Sequence, residues 1–156
     1  MAYTSSDPVV FFGKSHVTDT LSSRHPDVGT VKTFEDGNTY VWVYNEADSD
    51  INPGYAAQLN SAATGLSVTV TCTTNTGKPV GVCKHSTLTT NSYGWLLKQG
   101  FGTVEMNGTS GTIATRANIF VGVNGVGAVT NAGENAYGYA LTAIVSAASG
   151  EAYFFC

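Results

Sequence analysis

Thr39-Tyr40-Val41-Trp42-Val43-Tyr44 decides the fold class. Six consecutive β-branched or aromatic residues suit a pleated, buried strand. Just upstream, Glu35-Asp36-Gly37-Asn38 carries an Asp-Gly turn signal, and Thr30 to Phe34 offers a short partner strand. Residues 29–44 therefore read as a β-hairpin. Downstream, Leu66, Val68, Val70 and Cys72 alternate with Ser67, Thr69 and Thr71, the period-two pattern of a half-buried strand. Beyond the turn signal Asn75-Thr76-Gly77-Lys78-Pro79, Val80 to Cys83 is the next strand. Tyr93–Gln99 and Phe101–Met106 read as a strand pair around Gly100, and Asn107 to Gly111 is turn material. Glu151 to Cys156 closes the chain as an aromatic strand, too apolar to hang free in water.

Three stretches stay open at this level. Asn52 to Leu59 reads as a loop or one helical turn, with Asn52 as cap and Pro53 at the first position. Ile113 to Val123 is mixed, and Tyr137 to Ala147 is apolar and Ala-rich, suiting strand or helix.

The composition points the same way. The chain has 156 residues, of which 12% are charged and 18 are glycine. Globular chains average about 25% charged residues. Thr, Ser and Asn fill the polar positions, as expected of strands joined by tight turns rather than of helices. The expected fold is all-β: a single compact β-barrel- or sandwich-like domain over residues 30–156, preceded by an extended N-terminal arm over 1–29. That arm carries one apolar cluster, Val9-Val10-Phe11-Phe12, set in polar sequence. The cluster is a candidate protein-docking site, or else a first strand tucked into the chain's own core.

Sparse charge bears on function as well. Small monomers use charge to stay apart, so a surface this neutral suits burial against other chains. A net charge of −4 with seven scattered Lys and Arg offers no basic stripe for a phosphate backbone, so no direct nucleic-acid partner is expected. No run approaches the length of a membrane helix, and the start, Met1 to Asp7, shows no secretory pattern. Cys72, Cys83 and Cys156 are an odd, widely spaced set, expected as reduced thiols. Cys72 and Cys83 flank a turn signal, and their facing each other across a hairpin stays open.

No pattern demands chemistry. Gly122-Val123-Asn124-Gly125-Val126-Gly127 is glycine-rich but lacks the Walker lysine and the strand–helix frame of a dinucleotide site. Cys83-x-His85 gives two ligands where zinc takes at least three from the protein. Asp48 and Asp50, near Glu46, lack the glycine and distal Glu of a calcium loop. No nucleophile–base arrangement shows. The expectations are therefore no catalytic residue, no metal and no cofactor.

Residues 79–156 also carry a resemblance. Pro79-Val80-Gly81-Val82-Cys83, Tyr93-Gly94-Trp95-Leu96-Leu97-Lys98-Gln99-Gly100 and Thr103-Val104-Glu105-Met106 are followed by Gly125-Val126-Gly127-Ala128-Val129, Gly138-Tyr139-Ala140-Leu141 and Ala152-Tyr153-Phe154-Phe155. With Tyr40-Val41-Trp42-Val43 and Pro53-Gly54 upstream, this order resembles the capsid decoration (cement) proteins of tailed bacteriophages over roughly residues 30–156. The resemblance implies a structural virion protein made in the host cytoplasm. It would sit on the outer capsid surface at threefold or quasi-threefold positions as a homotrimer, with the major capsid protein as partner and no active site. The alternative is a sugar- or receptor-binding β-domain of a phage fibre or spike, with Trp42, Trp95 and the tyrosines as stacking surfaces. A small hydrolase is the remaining option.

Overall fold

A computed structural model of the chain describes residues 27–46, 49–59, 67–69, 79–108, 111–122, 125–128 and 136–156. The N-terminal cluster Val9–Phe12, most of the Leu66–Thr73 stretch, Cys72, His16 and His25 lie outside them.

The described residues form ten strands and no α-helix. They are β1 (Val31–Thr33), β2 (Thr39–Asn45), β3 (Ala56–Leu59), β4 (Ser67–Thr69), β5 (Pro79–Val82), β6 (Ser92–Glu105), β7 (Asn118–Val121), β8 (Gly127–Ala128), β9 (Gly138–Ala140) and β10 (Ser149–Phe155). The all-β expectation holds. Hydrogen bonding runs β1-β2-β4-β3-β5-β6-β10-β9-β7-β8, so the ladder as a whole is open, ending at β1 and β8. Part of it folds back, because β2 also pairs with β6 from Thr39↔Gln99 to Asn45↔Ser92. Pairing thus runs in a circuit through β2, β4, β3, β5 and β6. Three links are short: Tyr44↔Ser67 and Asn45↔Val68 join β2 to β4 in parallel, Gln58↔Thr69 and Leu59↔Val68 join β4 to β3, and Val82↔Leu97 joins β5 to β6.

The circuit explains β2. Side chains alternate along a strand, and here both faces are buried. Val41 and Val43 enter a small core with Ile51, Ala57, Val68, Cys83, Leu88 and Leu96. Tyr40 and Trp42 enter the larger core, where Trp95 and Leu97 meet Val104, Ile119, Tyr137, Ala152 and Phe154. Strand β3 divides in the same way, with Ala56 in the larger core and Ala57 in the smaller. Burial on both faces is why Thr39–Tyr44 is a continuous apolar run rather than an alternating one.

One reading holds and three sharpen or change. The 29–44 hairpin forms as expected, with Val31↔Val41 and Thr33↔Thr39 in register. Asn52–Leu59 is not a helical turn: Tyr55 N–H donates to the Asn52 carbonyl to close a turn, and Ala56–Leu59 is a strand. Its two alanines admit it to a crowded sheet, where small residues carry little β-propensity signal. Gly100 does not separate two strands either: β6 runs unbroken through it for 14 residues. The register steps from Tyr40↔Leu97 to Thr39↔Gln99, leaving Lys98 as a bulge. Gly100 follows at φ 129°, and the buried Asn38 side chain occupies the space a β-carbon there would need. The Asn38 Oδ1 accepts the Phe101 N–H at 2.8 Å. Strand β6 bends at this point, leaving β2 and joining β10. The third reading, Tyr137–Ala147, resolves into the short strand β9 and an isolated bridge, Ile113↔Ile144.

Candidate functional site

Beyond the bend in β6 lies an exposed aromatic surface. Along the second half of β6, Val104 is buried, while Phe101 and Thr103 point away from the larger core. Along β10, Ala152 and Phe154 point into it, and Glu151, Tyr153 and Phe155 point out. Register places these outward residues side by side: Phe101 opposite Tyr153, Thr103 opposite Glu151, Gln99 opposite Phe155, and Tyr139 of β9 opposite Tyr153. The result is a row of rings across three strands. Phe101 stands nearly perpendicular to Tyr153 with centroids 5.0 Å apart. Tyr139 and Tyr153 stack at 5.5 Å, and Tyr139 reaches Phe155 at 6.4 Å. Gln99 Nε2 donates to the Tyr153 hydroxyl at 3.2 Å, steadying the row. Phe101 is 59% exposed and Phe155 45%. Exposed rings gathered on one face make a candidate contact surface.

Beside the row lies an open depression of about 380 Å³, lined by Phe101, Gly102, Thr103, Leu141 and Glu151. The Leu141 N–H donates to the Glu151 carbonyl, which ties the loop after β9 to its wall. The lining combines one ring, one aliphatic side chain, one hydroxyl and one carboxylate, and no cation.

The fold is similar to the base of a phage head fiber. The solved N base of the head fiber gp8.5 of bacteriophage phi29 matches over 74% of this chain and 93% of its own, with a TM-score of 0.52 at 13% identity. At that identity the likeness speaks for the fold. No family model and no curated protein matches the sequence.

A second cluster lies at the β1–β2 turn. Asp36 accepts from the Tyr40 hydroxyl at 2.6 Å, from the Asn38 backbone at 3.0 Å and side chain at 2.8 Å, and from Lys84 at 3.1 Å. Desolvation pushes this carboxyl up, but the four donors together outweigh it and hold it well below the usual range. Tyr40 is pushed far up, first by burial and then by its bond to Asp36. Its one proton goes to Asp36, so its oxygen accepts from His85 Nε2 at 3.2 Å. His85 is lowered by burial and by Lys84. The cluster fastens the hairpin turn to the β5–β6 loop.

The residues singled out in the sequence divide sharply. Trp42 and Trp95, the candidate stacking surfaces, are core, with ring centroids 5.1 Å apart. Cys83 and His85 separate: the Cys83 thiol, raised by burial to about 11, donates to the Ser86 carbonyl inside the smaller core, while His85 turns outward to Tyr40. Asp50 accepts the Thr90 N–H, which makes it a loop tie. No group of three or more metal-ligating side chains comes together among the described residues. Tyr139 and Tyr153, among the tyrosines offered as stacking surfaces, do stand in the aromatic row, but the row itself and the place of Phe101 and Phe155 in it were missed. Its one sequence signal was Phe101 and Tyr153 standing on strands whose neighbours Val104, Ala152 and Phe154 already supply an apolar face.

Proposed function

We propose that the chain is a structural component of a phage virion, held on the outer capsid surface and acting without catalysis. The observation that carries this is the fold likeness to a head fiber base, which spans nearly all of that base. The soft motif resemblance to capsid decoration proteins supports the same class. Only 12% of residues are charged and the net charge is −4, which suits burial against protein better than contact with nucleic acid. The finer reading is a trimer on threefold or quasi-threefold positions. There, Val9, Val10, Phe11 and Phe12 contact the major capsid protein and stabilise the shell. Modest contacts repeated around a lattice sum to a large effect.

Co-sedimentation with capsid shells lacking the protein tests this. Saturable binding near one trimer per threefold point is expected, and the Phe11→Ser/Phe12→Ser double variant should bind more weakly while unfolding at the same temperature. A strictly monomeric protein that binds no shell overturns the reading.

A further inference from the structure

The depression beside Phe101 lies on β6, β10 and the loop after β9, apart in sequence from the Val9–Phe12 cluster proposed for capsid attachment. We propose that it binds a neutral sugar of an oligosaccharide, with Phe101 as the stacking wall and Glu151 and Thr103 as hydroxyl partners.

Size comes first. Three strands about 4.8 Å apart, over five residues at about 3.4 Å each, span on the order of 250 Å². A standard protein interface takes about 800 Å² from each partner. The aromatic row is therefore too small to hold a second folded chain alone, and it suits a ligand of one or two rings.

Main-chain recognition comes next. An extended peptide gains affinity by pairing with a free strand edge. Strand β10 pairs with β6 and β9, and β9 pairs with β10 and β7. On the far edge of β6, the Phe101 N–H goes to Asn38 and the Glu105 N–H to the Gly54 carbonyl. Two N–H groups of this edge are thus taken on either side of Thr103, too little free edge for an added strand, so recognition here rests mainly on side chains.

The side chains then select the chemistry. The Phe101 ring offers a flat apolar surface to the C–H face of a pyranose. Glu151 accepts hydroxyl protons through a charge-assisted bond, and Thr103, directly opposite it in register, donates or accepts. Leu141 closes the far wall. Glu105, which accepts the Ser149 hydroxyl at 2.6 Å, adds a second carboxylate two residues along β6 from Thr103, outside the lining itself. One carboxylate in the lining, a second on the same strand face nearby and no cation in the lining repel uronic and sialic acids, so the ligand is neutral or an amino sugar.

The test is an oligosaccharide array of neutral, amino and acidic glycans probed with the full chain, followed by titration of any bound glycan against variants. A neutral or amino glycan should bind. Phe101→Ala should weaken it at least tenfold and Glu151→Gln at least fivefold, while Val31→Ser, on the distant edge strand β1, leaves it unchanged. All three side chains are exposed, so the variants should fold. An array with no bound glycan overturns the proposal. So does a preference for acidic sugars, binding indifferent to Phe101 and Glu151, or a peptide that occupies the depression where no glycan does. None of these outcomes touches capsid attachment, which is read on shells.

Discussion

The two halves of β6 share a strand and differ in what covers them. From Ser92 to Gln99 it is paired with β2 and closed over on both faces, with Trp95 and Leu97 in one core and Leu96 in the other. From Gln99 to Glu105 it is paired with β10 and covered on one face only, with Val104 inside and Phe101 in water. The smaller core fills one side of the first half. The same side of the second half holds the aromatic row and, among the described residues, nothing packed over it. Aromatic residues in the first half are architecture; in the second they are free to meet a partner.

The strongest way to break this division is to cut one ring from each half. Trp42 is fully buried against Trp95 and Tyr93, so Trp42→Ala should cost about 3–5 kcal/mol and leave little cooperative unfolding. Phe101→Ala should stay within about 0.5 kcal/mol of the parent, as exposed positions do. Chemical denaturation of both variants measures the contrast. A Phe101 variant losing about 2 kcal/mol would mean the open face is structural after all.

The boundary between the halves can be tested next. At Gly100 an added methyl group meets the Asn38 side chain, in a backbone conformation that L-residues rarely adopt. Gly100→Ala should therefore cost about 2–3 kcal/mol. Adding Asn38→Ala should give back part of the overlap but also remove the acceptor of the Phe101 N–H, so the double variant stays below the parent. Full additivity of the two changes would show that Asn38 does not set the bend.

These particulars show how much was legible beforehand. The β1–β2 hairpin was readable because Asp36-Gly37 and six strand-forming residues are local signals. The terminal strand was readable for the same reason. The continuity of β6 was not, because a glycine inside a strand looks alike whether it marks a turn or a bend. What decides between them is Asn38, about 60 residues away in sequence and in contact only after folding. Strand β3 was hidden by its alanines, which two cores select for smallness. The aromatic face was hidden because exposure is a difference between two identical residue types. Phe154 is buried and Phe155 is 45% exposed, and only the register against β6 tells them apart.

The smallest expected effect belongs to the clasp that holds the β1–β2 turn against the β5–β6 loop. Asp36 has a folded-state pKa held below its unfolded value near 3.8. Its contribution is fully present above that value and is lost as pH falls further. His85 is also lowered, from 6.5, by burial and by Lys84, with Asp36 pulling the other way. A group that resists protonation when folded favours unfolding once the solution is acid enough to protonate it. His85 therefore begins to erode stability as pH drops below about 6.5, and Asp36 continues the loss below about 4. Both side chains are substantially solvated, so the whole effect should be about 1 kcal/mol or less. Denaturation midpoints of the parent and of Asp36→Asn, measured from pH 7 to pH 2, isolate it from the other carboxylates. The gap between the two proteins should be widest near neutrality and close below pH 4. The His85→Gln variant should flatten the parent's slope between pH 7 and 5. A gap that stays constant down to pH 2 would mean that Asp36 holds the turn by shape alone, and that its four donors add nothing once the hairpin is paired.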